Sequence, residues 1–252
     1  MTLTQETTET TAVAPRPREE TRTSLVAALH AFAELGYEFG FNGHVTARDS
    51  ENPDWFWANP FGVSLHEIEL DDLVLLDSTG EDVLNPRGHR VNGFQGNVGI
   101  HLAHPQTHAV VHLHTPAGFV WSSTGRPLEP LTSDAALVTP LQALFSDFGR
   151  RDADGTPVSS PALAFGRTAT VLLQRTHGFI TRGASVDEAA FYLVAAERAA
   201  QVNLAAAGVP GVEGLSEEDA ARWALTPALA EQHFAPYRQH GLRLAGLSGP
   251  TR

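Results

Sequence analysis

Apolar residues recur at helical spacing in two long segments of the chain. Near the N-terminus they fall three or four residues apart, at Leu25, Ala28, Leu29, Phe32 and Leu35. This spacing predicts a helix that begins near Thr23 and ends at Gly36. Ser185 and Glu188 form a capping-box pattern ahead of an alanine-rich stretch, which predicts the strongest helix of the chain, continuing to about Ala207.

Short apolar runs between these helices are typical of β-strands. They cover residues 44–48, 55–58, 73–77, 109–114 and 168–174. Further helices are expected over 92–104, 216–224 and 227–240, and the polar, Gly/Pro-rich stretch 147–161 is expected to be a loop. Helices and strands interspersed in this way favour one mixed α/β domain over residues 22–252. Residues 1–21, rich in Thr, Glu and Pro, are predicted to be a disordered tail.

The strand over 109–114 ends in a His-x-His pattern. Successive residues of a strand point to opposite faces, so His112 and His114 are expected to share one face. A third histidine, His177, lies in a Thr-His-Gly sequence after another predicted strand. Imidazole is a common ligand of zinc and iron, and three imidazoles would supply the protein ligands of a catalytic metal site. On spacing alone, a His-x-His pair that merely decorates an exposed strand remains an alternative.

Composition narrows the chemistry. The 252 residues include no cysteine, and all 17 basic residues are arginine. These two absences exclude disulfides, thiolate ligands, cysteine nucleophiles and lysine Schiff bases. A net charge of −12 disfavours nucleic acid and anionic membrane as partners. No apolar stretch approaches the roughly 18 residues that span a bilayer, and the N-terminus lacks a signal peptide, so a cytoplasmic location is expected.

Several blocks, in order, resemble the class II aldolase/adducin family, and in particular its adducin-like branch. They are Gly43-His44-Val45-Thr46-Ala47-Arg48-Asp49, Trp55 to Gly62, Gly93 to Pro116 and Thr176-His177-Gly178. The resemblance implies a three-layer α/β/α domain with a central mixed β-sheet. It implies a homotetramer with active sites near subunit interfaces, and one divalent metal ion per subunit held by His112, His114 and His177. Zn²⁺ is the most common ion, with Fe²⁺ and Mn²⁺ as alternatives.

The same resemblance suggests where a small-molecule substrate binds. Two turns that hold the substrate phosphate in sugar-phosphate aldolases correspond here to Gly43-His44 and Phe61-Gly62. The second turn lacks the hydroxyl groups that would bind phosphate, which favours an unphosphorylated carbonyl compound. Arg87 and Arg90 are candidates for binding a substrate carboxylate, because the guanidinium fork fits that group. Ordinary surface arginines are the alternative reading.

The family's catalytic glutamate is missing. Its expected position is Gly93, so a proton-transfer role would fall elsewhere. The candidates for this role are His101, Asp134 and Tyr237. The structural alternatives are a core histidine for His101, a turn cap for Asp134 and a packing residue for Tyr237.

Three functions remain open. The leading one is a metal-dependent lyase or epimerase that acts next to a carbonyl on a small hydroxy-carbonyl or hydroxy-acid substrate. The second is a non-heme iron oxygenase or oxidative decarboxylase of an aromatic 2-oxo or 2-hydroxy acid in secondary metabolism. The third is a non-catalytic, adducin-like structural domain, which retention of all three histidines disfavours.

Overall fold

The computed structural model describes residues 17–146, 153–154 and 159–247. Within these residues, eight strands form one mixed sheet in the order β4-β3-β2-β1-β5-β8-β7-β6. The strands are β1 His44–Arg48, β2 Trp55–Ala58, β3 Val74–Asp77, β4 Asp82–Leu84, β5 Ala109–Leu113, β6 Gln142–Phe145, β7 Val171–Gln174 and β8 Gly178–Gly183. Only β6 and β7 pair in parallel; the other neighbours are antiparallel.

Helices cover both faces of the sheet. They are α1 Arg18–Glu34, α2 Phe94–Ala103, α3 Pro116–Ser122, α4 Ser133–Ala136, α5 Pro161–Ala164, α6 Val186–Ala206, α7 Glu217–Trp223 and α8 Pro227–Leu244. Helices α1, α6 and α8 pack together on one side, and α2 and α5 pack together on the other. The predicted three-layer α/β/α domain with a central mixed sheet is therefore confirmed.

The sheet alternates its side chains between two hydrophobic cores. Val111 and Leu113 of β5 join the larger core, which is built with α1, α6 and α8. Val110 joins a smaller core with Ile100 of α2. Because side chains alternate along a strand, His112 lies on the same face as Val110, the face covered by α2. His112 is thus placed on the face of the sheet that α2 covers.

The main differences from the sequence predictions lie where contacts between distant segments determine the secondary structure. Helix α1 begins at Arg18, so residues 18–21 are helical rather than part of a tail; the rest of the predicted tail up to residue 16 lies outside the described residues. Arg18 forms a bidentate pair with Asp49, with both N···O distances at 2.8 Å, and this pair anchors the first turn. Strands β4, β6 and β8 were not predicted, and most of the loop predicted over 147–161 falls outside the described residues.

No helix among residues 17–146 and 159–247 is long and apolar enough to cross a membrane.

Candidate metal centre

Two neighbouring antiparallel strands bring the three predicted metal ligands together. His112 lies in β5 and His114 follows that strand, whereas His177 directly precedes β8. In the register of this pair, Leu113 lies opposite Phe179. The residue just after β5 therefore lies beside the residues just before β8, and sheet pairing closes the long sequence distance between His114 and His177.

The three imidazoles form a compact triangle. Their ring centroids are 5.1 Å apart for His112 and His114, and 4.9 Å apart for each of these rings and His177. One possible ligand nitrogen of each ring lies within 4.8 Å of the others. Three nitrogens this close are suited to a single shared ion, whose bonds to histidine are about 2 Å long.

His112 shows most directly that a divalent ion fits this group. Its Nδ1 is 2.7 Å from the carbonyl oxygen of Phe179, and because a carbonyl only accepts, Nδ1 carries the proton. Nε2 is then the lone-pair nitrogen, and it is buried without a hydrogen-bond partner among the described residues. A ring fixed by a backbone carbonyl on one nitrogen and left open on the other is the usual arrangement of a metal-bound histidine.

Burial also favours the neutral form that binds metal. Desolvation lowers the pKa of His112 well below its usual value, and it lowers the pKa of His114 and of His177 in the same direction. Proximity of His177 lowers the pKa of His114 further. Neutral rings are ready to donate a lone pair near pH 7 without first losing a proton.

A buried carboxylate holds the helix that follows His114. Glu197, on α6, accepts hydrogen bonds from the backbone N–H groups of Ala117 and Gly118, at 2.8 and 2.7 Å. These groups belong to the first turn of α3, where N–H groups have no partner within the helix. Phe119 of the same helix packs against the His114 ring, with centroids 5.0 Å apart. Together these contacts fix the orientation of His114.

The turn that carries His177 is strained. Thr176 has φ +60°, a left-handed conformation that is rare for a β-branched residue. Its N–H donates to the carbonyl oxygen of Ser122 at 3.2 Å, which ties the turn to the end of α3. Gly178 follows with φ +101°, a value that its missing Cβ permits. This turn directs residue 177 back towards β5.

A fourth imidazole lies beside the triangle. His44, the first residue of β1, pairs with His112 across the sheet, and their ring centroids are 4.9 Å apart. Burial lowers the pKa of His44 to about 4, a shift that the nearby Asn97 side chain opposes.

Of the two predicted substrate-binding turns, Gly43-His44 carries this ring and Phe61-Gly62 follows β2. A Cβ on Gly43, which has φ +118°, would lie 2.4 Å from a side-chain carbon of Leu113, so the turn before β1 requires glycine. Gly62 also has a positive φ, +81°. Phe61 donates its N–H to the carbonyl oxygen of Arg90 at 2.7 Å, and its ring lies 4.9 Å from the largely exposed Phe41 ring.

The structure separates the two candidate arginines. The guanidinium of Arg87 forms ion pairs with Asp72 at 2.7 Å and with Glu69 at 2.5 Å, so its charge is already matched by carboxylates. Arg90 instead lies over the ring of Phe61, at 5.8 Å from the centroid. It also lines a cavity of about 590 Å³ that reaches Gly93. Unlike Arg87, Arg90 forms no ion pair with a carboxylate of the described residues.

The predicted proton-transfer residues are placed apart from the triangle. His101 is fully buried, and its two ring nitrogens lie 2.9 Å from the Thr46 hydroxyl and 3.0 Å from the Thr107 carbonyl oxygen. These contacts are those of a core histidine, which was the alternative interpretation of His101. Asp134 forms an exposed ion pair with Arg198. Tyr237 packs against Phe191 and Phe234. The catalytic roles of these three stay predictions without a supporting contact.

Sequence reasoning did not single out Glu197. Glu197 is an acid within the alanine-rich apolar stretch of α6, and helical spacing from Leu193 and Ala200 could have shown that it is buried. Asn97 lies on the face of α2 that meets β1, where its amide approaches the His44 carbonyl oxygen at 3.4 Å.

Comparisons with known proteins agree with this geometry. Residues 23–204 match the family model described as Class II Aldolase and Adducin N-terminal domain. The chain is 32% identical over 198 residues to a 4-hydroxy-3-prenylphenylpyruvate oxygenase/4-hydroxy-3-prenylbenzoate synthase of Streptomyces roseochromogenus subsp. oscitans, covering 76% of this chain and 69% of that protein. It is 34% identical over 191 residues to Decarboxylase NovR of Streptomyces niveus, covering 73% and 69%. Its fold superposes on an L-fuculose 1-phosphate aldolase from Glaciozyma antarctica PI12 with a TM-score of 0.82, at 28% identity over 95% of both chains. The chain therefore belongs to the class II aldolase and adducin N-terminal domain family.

Proposed function

We propose that this protein is a divalent-metal-dependent lyase of the class II aldolase type, with His112, His114 and His177 as the metal ligands. The observation that carries the proposal is the convergence of three imidazole nitrogens within 4.8 Å, one of them on a buried ring whose Nε2 lacks any other partner among the described residues. Zn²⁺ is the first candidate ion, followed by Fe²⁺ and Mn²⁺.

A bound divalent ion would act as a Lewis acid that polarises a carbonyl or hydroxyl oxygen of the substrate. The protein's own residues do the rest. The Phe179 carbonyl keeps Nε2 of His112 deprotonated, and Glu197 keeps the α3 turn, and with it His114, in place. The three-histidine ligand set leaves open coordination positions, because a catalytic ion takes more than three ligands.

The proposed substrate is a small, unphosphorylated hydroxy-carbonyl compound or hydroxy acid. The turn at Phe61-Gly62 carries a phenyl ring and no side-chain hydroxyl, and the Phe61 N–H already donates to the Arg90 carbonyl oxygen. Arg90 lines the cavity that reaches Gly93, and its guanidinium can form a bidentate pair with a carboxylate. An acid is therefore favoured over a sugar phosphate.

Metal analysis of the purified protein, combined with ligand variants, tests this proposal. One ion per subunit is expected in the wild-type chain. His112→Ala and His177→Ala are expected to lose the ion and any lyase activity, with the circular dichroism spectrum retained. His66→Ala, an exposed histidine elsewhere, is the matched control and should bind metal normally. Wild-type metal content in either ligand variant would refute the ligand assignment.

A second candidate function is oxygenation or oxidative decarboxylation of an aromatic 2-oxo or 2-hydroxy acid on the same three histidines. The observation that favours it is the contact between the exposed Phe41 ring and the half-buried Phe61 ring, with Arg90 over Phe61, which offers an aromatic surface beside a cation. Two of the relatives carry oxygenase or decarboxylase names. Iron oxygenases usually include a carboxylate ligand, and the three-histidine group has none.

Anaerobic purification followed by metal analysis and an oxygen-electrode assay separates the two functions. Bound zinc or manganese without oxygen uptake on addition of phenylpyruvate or 4-hydroxyphenylpyruvate is expected for the lyase. Bound iron with substrate-dependent oxygen uptake would replace the lyase by the oxygenase. A folded protein that binds no divalent metal would refute both and favour a structural role.

We also propose that the chain assembles as a homotetramer with active sites near subunit interfaces. Phe39 and Phe41, next to the Gly43 turn, are 68% and 59% exposed in the single chain, and an interface would cover such apolar surface. Light scattering coupled to size-exclusion chromatography measures the mass, and a monomer at micromolar concentration would refute this assembly.

A further inference from the structure

Helix α3 presents an exposed aromatic ring beside the three-histidine group. Phe119 on this helix is 39% exposed, and its ring centroid lies 5.0 Å from that of His114. Its Cδ2 atom would lie 3.9 Å from a Cβ placed on Gly178. Because Gly178 directly follows His177, the Phe119 ring borders the segments that carry two of the three proposed ligands.

Burial indicates the side from which a substrate reaches this group. His112 is buried, whereas His114 and His177 are only partly buried. A molecule from solvent therefore approaches past the latter two rings, which belong to the segments that Phe119 borders. The Phe119 ring is thus placed beside the route from solvent to the three histidines.

The backbone of α3 holds this ring in place. A Cβ on Gly118 would lie 2.5 Å from carbons of the Phe179 ring, so the helix packs directly against β8 and requires glycine at the contact. Ser122 donates its hydroxyl to the Phe119 carbonyl oxygen at 2.7 Å, and its own carbonyl oxygen accepts the N–H of Thr176 at 3.2 Å. The Phe119 side chain therefore projects from a helix that is fixed against both ligand-bearing segments.

A phenyl ring in this place selects by the polarity of the group that it contacts. A sugar hydroxyl against the ring would lose its hydrogen bonds to water and gain none of comparable strength, which is unfavourable. An aromatic or alkyl group would instead bury apolar surface, and an aromatic group would add the favourable interaction of a ring pair. The ring therefore favours a carbonyl compound whose neighbouring substituent is apolar.

We infer that Phe119 is a specificity-determining residue, which contacts an aromatic group next to the carbonyl or hydroxyl of a 2-oxo or 2-hydroxy acid bound at the three-histidine group. The inference rests on the proposed metal site. It gives Phe119 a second task besides its packing against His114, and it narrows the substrate to an acid with an apolar side chain.

The test compares two probes on the Co²⁺-loaded protein, whose visible absorption reports ligand changes at the ion. Phenylpyruvate and pyruvate share the 2-oxo acid and differ by the phenyl group. The wild-type chain is expected to bind phenylpyruvate about tenfold more tightly than pyruvate, which corresponds to about 1.4 kcal/mol. Phe119→Ala should remove most of this preference, while the affinities for Co²⁺ and for pyruvate stay within about twofold of wild type.

Two further variants support the comparison. Phe119→Leu keeps apolar packing against His114 without the ring, so it is expected to show an intermediate preference, and it serves where the alanine variant folds poorly. Trp223→Ala removes an exposed aromatic side chain from α7 and should leave the preference for phenylpyruvate unchanged.

Several results would overturn the contact. One is the absence of a preference for phenylpyruvate in the wild-type chain, or the same preference in Phe119→Ala. Another is an equal loss of affinity for both probes, or loss of Co²⁺, because the ring would then act only by supporting His114. A smaller mass of Phe119→Ala in light scattering would also overturn it, since a second copy of the chain would then cover the ring. Failure of the wild-type chain to bind Co²⁺, visible before any probe is added, would instead refute the metal site itself.

Discussion

Replacing the carboxylate of Glu197 by an amide tests how the fold supports the candidate metal centre. The carboxylate is fully buried and accepts two backbone N–H bonds, from Ala117 at 2.8 Å and from Gly118 at 2.7 Å. Glu197→Gln preserves the shape of the side chain. Its amide oxygen can accept one of the two N–H groups, while its NH₂ group faces the other as a second donor.

The expected loss follows from these two bonds. A hydrogen bond to a charged group contributes about 1.5–3 kcal/mol, and an unsatisfied buried N–H costs about 1–3 kcal/mol. The loss of one charged bond, with a weaker neutral bond left at the other site, gives a destabilisation of about 2–3 kcal/mol. That is a large part of a typical stability of about 5–15 kcal/mol. Glu197→Ala removes both acceptors and should cost about 4 kcal/mol or more by the same reasoning.

Because α3 begins two residues after His114, the same change should weaken metal binding. Loss of a group that orients a ligand typically costs about 10–100-fold in metal affinity. Urea unfolding of the metal-free protein at one fixed protein concentration measures the first effect, and competition for Zn²⁺ with a chromophoric chelator measures the second. Arg198→Gln, the next residue on α6, removes only an exposed 3.4 Å ion pair and should change stability by less than about 0.5 kcal/mol. If Glu197→Gln matches that control in both assays, the carboxylate does not support the site.

Three further predictions concern local features of the fold. Thr176→Asn relieves a left-handed conformation that costs a β-branched residue about 1–2 kcal/mol, so the melting temperature should rise by about 2–4 °C; a fall would mean that the Thr176 hydroxyl bond to the Arg175 carbonyl outweighs the strain. Burial lowers the pKa of His101 to about 3. Below about pH 6.5 this histidine is therefore protonated in the unfolded chain, whereas in the folded chain it stays neutral down to about pH 3. The free energy of unfolding should therefore fall by roughly 2 kcal/mol between pH 7 and pH 5 because of this residue, with no loss above about pH 6.5. In His101→Gln, urea unfolding should show a smaller fall over this pH range, and an unchanged pH dependence would contradict the lowered pKa of His101. Arg18→Met removes both bonds to the buried Asp49 carboxylate and should cost about 2 kcal/mol, measured by the same unfolding assay, whereas a neutral result would show that the first turn of α1 is not anchored there.

The histidine pair could be predicted because its information is local. Alternation along a strand places His112 and His114 on one face whatever the rest of the chain does. The approach of His177 is different, because it depends on β5 pairing with β8, and no periodicity specifies which strands become neighbours. That part of the prediction came from the resemblance to a family, and β8 itself was not predicted. The register between Leu113 and Phe179 supplies the missing physical reason.

Contacts between distant segments account for most of what the sequence did not reveal. Helix α1 extends into the predicted tail because Arg18 forms an ion pair with Asp49. Arg87 was predicted to bind a substrate carboxylate, but its guanidinium forms ion pairs with Asp72 and Glu69. Each of these residues has an unremarkable local pattern, and only the fold decides which opposite charge lies within reach. Arg90, three residues from Arg87, meets a phenyl ring instead.

Gly93 shows why the absence of an expected residue must be judged in space rather than along the chain. The resemblance to the family implies that an acid is missing at this position, and His101, Asp134 and Tyr237 were the predicted replacements. In the fold, the space next to Gly93 is filled by the ring of His44 from the adjoining strand. The differences from the aldolase pattern at positions 44 and 93 are thus linked, since the His44 ring fits only where residue 93 has no side chain. A substitution at either position alone therefore changes the contact between the two residues. Only the double variant separates the effect of losing the His44 ring from the effect of adding a side chain at position 93.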